Sequence, residues 1–306
     1  MASCLVQANL EQSRAASRVS DCEKLLCHLF LSIFGVEIEL ETDYPEIIWM
    51  VQNLYEYFLV STPFKNPSVR IRFLSNGEQT ATSFGNKVHL FDVETPLVTC
   101  LSTLWQATVS RLQDCDVFHG ASVAHGEGSI LMLGDPESGK TTLTLGLLRE
   151  GKGKFSFLAE DVSFVDLRSR EIVPFPRAFT VTEQTLKLFP ELSSIPERIY
   201  GKHAMKRIVS IREVLNTFSV NIGKPSALSY ILLLEAGEDF QGPAKLEHLE
   251  PTRSVLELCK RSLSIHSGVV RSIDIARDLV SKAKRLRLKV GELDNTVKTV
   301  IDLVSE

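Results

Sequence analysis

Residues 134–141 read Gly-Asp-Pro-Glu-Ser-Gly-Lys-Thr, a complete G-x-x-x-x-G-K-[ST] run. Gly134 and Gly139 let the chain curl until successive backbone N–H groups face one point, which makes a cradle for an anion. Lys140 adds a cation beside it, and the Thr141 hydroxyl stands where it can ligate a divalent metal. Such a cradle works only between a strand and a helix, because the helix N-terminus supplies partial positive charge beneath the anion. The flanks provide both. Ser129-Ile-Leu-Met-Leu133 is a short apolar stretch that suits a buried parallel strand, and apolar residues at 143, 145, 147 and 148 suit a helix. The expectation is an α/β fold with a phosphate site built from Gly134, Asp135, Pro136, Glu137, Ser138, Gly139, Lys140, Thr141 and Thr142. Asp135 and Glu137 are expected to point outward, since a carboxylate facing a phosphate is repelled.

A phosphate cradle does not by itself transfer phosphate. Transfer needs one acid to hold a metal and one to take a proton from the attacking hydroxyl. Glu160-Asp161 meets that need, about twenty residues after the loop and at the end of the apolar run Phe155–Ala159. If the sheet is open and parallel, that strand end faces the same crevice as the loop. His119 falls in the middle of a run, Val117–Ala124, that reads as the strand before the loop strand. It either points to the phosphates or packs inside. Arg177 follows Pro174-Phe175-Pro176, a rigid extended frame from which a guanidinium can reach phosphate oxygens.

The rest of the chain is an ordinary globular background. Its 306 residues suffice for one large α/β domain or two modest ones, and a net charge of −4 argues against a nucleic-acid partner. No apolar run approaches 18 residues and the first fourteen lack a signal-type apolar core, so neither a membrane span nor export is expected. Six cysteines, with no C-x-x-C pair, suit a reducing compartment, the cytoplasm. Cys22, Cys27 and His28 lie on a Leu-rich pattern read as helical, so they are expected to be core or surface residues rather than metal ligands. Strands are expected at 36–41, 69–74, 80–84, 87–91, 128–133, 162–165, 171–173, 230–235 and 285–290. Helices are expected at 45–59, 95–112, 252–265, 269–284 and 293–304, while 180–226 yields no clear pattern. The basic cluster Lys282, Lys284, Arg285, Arg287 and Lys289 reads as a solvated face.

The order His-Gly, strand, G-D-x-x-x-G-K-[ST], helix, glycine turn and L-A-[DE]-D resembles the catalytic domain of bacterial HPr kinase/phosphorylase, a P-loop serine kinase akin to phosphoenolpyruvate carboxykinase. It more closely resembles the shorter HPr kinase-related proteins encoded with lasso-peptide and other peptide-maturation genes, which share the Pro-Phe-Pro-Arg segment. The resemblance implies an N-terminal α/β lobe over 1–112 and a P-loop kinase domain over 113–306 closed by a helix-strand-helix segment. It implies ATP and Mg²⁺ as cofactors, a peptide or protein partner with an acceptor serine (a lasso precursor peptide among them), and family members that commonly form homo-oligomers. By residue, it implies a catalytic set of His119, Lys140, Glu160 and Asp161, nucleotide contacts from 134–142 and Arg177, and metal contacts from Thr141 and Asp161. Two features depart from the family. The first acid is Glu160 where Asp is usual, and the Arg-Gly-x-Gly run of true HPr kinases is absent, which argues against HPr as substrate. A nucleotide-binding module without transfer activity and a small-molecule kinase are the alternative readings.

Overall fold

A computed structural model of the chain describes residues 26–75, 79–83, 86–88, 96–193, 198–200, 205–236, 242–263 and 268–305. They fall into two compact units. The first holds the described residues up to Gln52 together with Phe58–Thr108, and the second holds Asn53–Tyr57 with Val109 onward.

In the first unit six strands form one sheet: β1 (Cys27–Ile33), β2 (Val36–Thr42), β3 (Leu59–Val60), β4 (Val69–Phe73), β5 (Gln79–Ser83) and β6 (Asn86–Val88), in the order β3-β1-β2-β4-β5-β6. Helix α1 (Pro45–Leu54) joins the parallel pair β2 and β4, and α2 (Pro96–Val109) closes the unit's run of elements. The expectation of a helix through Cys27 and His28 is overturned. Leu29, Leu31 and Ile33 are buried in a period of two and face Leu40, Ile38 and Val36 across an antiparallel hairpin. Phe30 on the outward face fills in the alternation and makes the run look helical. The hairpin turns at Phe34-Gly35, both at positive φ (49° and 79°), the geometry that matches the twist of paired strands. Cys22 lies outside the described residues.

The second unit is a mixed sheet covered by helices on both faces. Its elements run β7 (Cys115–His119), β8 (Ala121–His125), β9 (Gly128–Gly134), α3 (Lys140–Glu150), β10 (Phe155–Ala159), β11 (Val162–Asp166), β12 (Glu171–Val173), β13 (Phe179–Thr182), α4 (Glu183–Leu188), β14 (Arg198–Tyr200), β15 (Met205–Val209), α5 (Ile211–Phe218), β16 (Ser226–Ala236), β17 (Lys245–His248), α6 (Pro251–Lys260), α7 (Gly268–Lys282), β18 (Lys284–Val290) and α8 (Leu293–Ser305). The main sheet follows β10-β8-β9-β16-β12-β11-β7, with β18 beside β16 and β17 beside β18. The segment 180–226, opaque in sequence, contributes a small separate sheet, β13-β15-β14, and helices α4 and α5.

Alternation along β9 explains the layering. Ile130 and Met132 join a core with Leu143 and Leu147 of α3 and Val297 and Val300 of α8. Leu131 and Leu133 join the opposite core with Leu258 of α6 and Ile275 and Leu279 of α7. Each apolar side chain of the central strand thus has a helix to pack on, and burying a Leu or Ile in this way stabilises by roughly 1.5–3 kcal/mol.

Two sequence expectations fail here. The sheet is not open and parallel, because β8 runs antiparallel between β9 and β10. Nor is Val117–Ala124 one strand. It breaks at Gly120, where an added Cβ would lie 2.8 Å from the Met132 carbonyl oxygen and 3.0 Å from Leu133 Cδ2. Before the break β7 pairs with β11, and after it β8 pairs with β9 and β10. His119 therefore ends a strand instead of sitting in its middle. The basic cluster near the C-terminus is neutralised locally. Lys282 pairs with Asp278, Arg287 with Glu235 and Glu247, and Lys289 with Glu247.

Candidate functional site

The glycine loop leaves β9 at Gly134 and enters α3 at Lys140. Gly134 has no room for a side chain, since a Cβ would lie 2.3 Å from Ser138 Oγ and 3.0 Å from the Leu234 carbonyl oxygen. Glu137 and Gly139 take positive φ, 65° and 91°, which bends the loop over its own amides. Gly139 caps the helix without any side-chain hydrogen bond, so no side chain claims the first amides of α3. Lys140 is buried and donates through Nζ to the carbonyl oxygens of Gly134 and Asp135, both at 2.9 Å. Burial pulls its ammonium below the usual lysine range, against the pull of Asp161. Ser138 Oγ is buried with no hydrogen-bond partner, which suits an oxygen-rich anion in the curl. Asp135 and Glu137 are exposed, as expected of acids at such a loop. Thr142 turns away to Thr185, with the hydroxyls 3.2 Å apart.

The two acids occupy the link between β10 and β11. The β8–β10 pairing shifts register between Phe157 and Ala159, the last residue of β10, and a bulge of this kind redirects the residues that follow. Gly120 N–H then donates to the Asp161 carbonyl oxygen at 3.0 Å, tying the acid link to the β7–β8 break. Four predicted residues meet in two pairs as a result. Thr141 Oγ1 donates to Glu160 Oε1 at 2.7 Å, and His119 Nδ1 stands 3.6 Å from Asp161 Oδ1. Glu160 is buried, whereas the Asp161 side chain is 37% exposed. Burial, reinforced by the neighbouring Asp161 carboxylate, lifts Glu160 to about 7, although the Thr141 hydroxyl opposes the shift. Burial also lowers His119, with Lys140, Arg261 and Lys206 pushing the same way against Asp161, so the ring favours its neutral form.

Arg177 arrives by a separate route. Phe175 N–H donates to the Leu158 carbonyl oxygen at 2.7 Å, and its ring packs on Phe164 at 4.6 Å. This fixes Pro174–Arg177 along the end of β10. The guanidinium lies over the Tyr55 ring, 5.6 Å from its centre, and its Nε has no hydrogen-bond partner. Burial works against its charge, but Tyr55, Glu160 and Asp161 together raise its pKa. Arg177 thus belongs to the electrostatic surroundings of the acid pair.

Sequence reasoning missed Arg261, Glu257 and Lys206. Arg261 reaches the loop from the end of α6, 127 residues beyond Gly134, and no local pattern marks it. Lys206, on β15, acts electrostatically on both His119 and Glu160.

A divalent cation here would find the Thr141 hydroxyl and two carboxylates. Among the described residues no group of three or more His, Cys, Asp or Glu could hold a metal. A hydroxyl and carboxylates are oxygen donors of the kind that hard cations such as Mg²⁺ take. No helix of the described residues is long and apolar enough to cross a membrane.

No family model matches the chain, and no curated protein does. Among solved structures the chain is similar to the Hpr(Ser) kinase/phosphatase from Coxiella burnetii. The TM-score is 0.31 and the identity 11%, over 62% of this chain and 88% of that one, a likeness too distant to bear on function.

Proposed function

We propose that this protein is a Mg²⁺- and ATP-dependent kinase that phosphorylates a serine hydroxyl of a peptide or protein. The observation that carries the reading is the 2.7 Å hydrogen bond from Thr141, in the loop, to Glu160, in the acid link. It joins the two halves that phosphoryl transfer requires, a phosphate cradle and a carboxylate pair. The serine acceptor follows from the sequence resemblance to HPr kinase-related proteins.

In this mechanism the loop amides, Lys140 and Ser138 Oγ bind the β- and γ-phosphates. Lys140 gives up its carbonyl acceptors for phosphate oxygens, a stronger charge-assisted contact. Bound Mg²⁺ supplies charge neutralisation at the phosphate oxygens. Thr141 and Glu160 would hold it, because the hydroxyl and the buried carboxylate already face one another. Asp161 accepts the proton of the attacking hydroxyl, and neutral His119, 3.6 Å away, orients that carboxylate. This reading moves to Glu160 the metal contact that the resemblance implies for Asp161. Arg177 adds positive charge beside the acid pair.

The test is incubation with γ-labelled ATP, Mg²⁺ and serine peptides, followed by mass spectrometry. The expected outcome is a gain of one phosphate, about 80 Da, on serine, lost when that serine becomes alanine. Phosphorylation of a small metabolite and of no peptide would replace this reading with a small-molecule kinase. Nucleotide binding with no transfer to any acceptor would replace it with a binding module.

A further inference from the structure

Arg261 connects three parts of the candidate site that lie far apart in sequence. Its guanidinium donates to Asp135 Oδ1 at 2.7 Å and, through Nε, to the Gly134 carbonyl oxygen at 3.4 Å. The same Gly134 oxygen accepts from Lys140 Nζ, so two cations converge on the carbonyl that begins the loop. Behind it, Arg261 is paired with Glu257, one turn earlier on α6. Its own carbonyl oxygen accepts the His119 N–H at 2.7 Å.

The side chain of Arg261 is 10% exposed, that of Glu257 4% and that of Asp135 88%. A nearly buried arginine on a nearly buried glutamate is a fixed post, because removing the glutamate takes the nearest counter-charge from the buried guanidinium. The loop acid clipped to that post is the exposed partner. Glu257 also holds Arg253 at 2.9 Å and Lys260 at 3.2 Å, so it does not depend on Arg261 alone for neutralisation.

We propose that Arg261 is a positioning residue for the phosphate loop: anchored on Glu257, it sets the start of the loop through Asp135 and the Gly134 carbonyl, and sets His119 through its own carbonyl. The proposal rests on the reading of 134–141 as a phosphate loop. It explains why an acid occupies the second position of an anion-binding loop. Asp135 is turned out to Arg261, which fixes the Gly134 peptide so that Lys140 and the amides are arranged before ligand arrives. Preorganisation of this kind raises affinity by removing an ordering cost from binding.

The test compares wild type, Arg261→Met, Arg261→Lys, Asp135→Asn and the Arg261→Met/Asp135→Asn double variant. Asp135→Asn alters an exposed side chain and keeps the proposal testable if the arginine variants do not fold. In the ligand-free proteins, hydrogen exchange at the amides of 137–141 is expected to be about tenfold faster in Arg261→Met and in Asp135→Asn, the loss expected for one charged hydrogen bond. Exchange at the 151–154 turn should be unchanged.

MgATP affinity by calorimetry is expected to fall about tenfold in each single variant and no further in the double, the signature of one shared contact. Arg261→Lys should recover part of the loss. Loop exchange at the wild-type rate in both folded single variants would overturn the proposal. So would tighter MgATP binding by Asp135→Asn, which would make Asp135 a competitor of phosphate instead of a clip. A wild type that binds no nucleotide, yet shows the exchange effect, would remove the nucleotide reading and leave the clip standing.

Discussion

Glu160 concentrates most of the site's electrostatic tension. Its carboxyl is buried beside Asp161 and raised from 4.5 to about 7, so the ligand-free fold binds its proton more tightly than the unfolded chain does. The sign follows from linkage. The advantage of the protonated form is full below pH 4.5, declines as pH rises toward 7 and is gone above that. Glu160→Gln keeps an acceptor for Thr141 and needs no proton. Its melting temperature should match wild type near pH 4 and exceed it at pH 8 by roughly 3 °C or more, read by calorimetry across pH. The same ionisation should oppose metal. Mg²⁺-dependent nucleotide affinity is expected to fall as pH drops below about 7 in wild type, and to be weak and flat with pH in Glu160→Gln. Asp161→Asn tests the other acid. Loss of a positioned base should cost about 10²-fold or more in the transfer rate with little change in nucleotide affinity, measured by steady-state kinetics and calorimetry on one preparation.

At the scale of elements, the decisive feature is the break between β7 and β8. Gly120 lets β8 cross close under Met132, and its N–H holds the Asp161 carbonyl. One residue thus ends the strand that carries His119 and fastens the link that carries the acids. Gly120→Ala would force a Cβ against backbone, which side-chain movement cannot relieve. The expected cost is about 1–3 kcal/mol in stability, seen in denaturant unfolding. Transfer activity should fall by more than the loss of folded protein explains, because His119 and Asp161 move apart. Normal activity in the folded variant would separate the break from the chemistry. The register shift near the end of β10 comes just before the last pair, Ala159 with Ser122, which adjoins Glu160.

At the scale of the molecule, a ligand that binds only the native state stabilises it by mass action, about 2.7 kcal/mol at a hundred times Kd. MgATP is therefore expected to raise the melting temperature, and Lys140→Ala to abolish most of the rise; no shift with ATP, GTP or pyrophosphate in wild type would sink the loop reading. The sequence by itself determined the strand-loop-helix around 134–141, the position of the acids at a strand end and most elements of the second unit, because those depend on neighbours within a few residues: apolar period, glycine at positive φ, turn chemistry. It misread Cys27–Ile33, where apolar residues on both faces hid a period of two, and it found no pattern in 180–226, whose small sheet is closed by β13 pairing with β15 across two intervening elements. Only the tertiary structure decided that β8 runs antiparallel between β9 and β10, that Thr141 faces Glu160 instead of Asp161, and that Arg261 meets the loop. The physical reason is common to all three. A contact between residues outside the same few turns of chain, 19 apart for Thr141 and Glu160 and 126 apart for Arg261 and Asp135, leaves no local periodicity, and the partners become neighbours only when the sheet has folded.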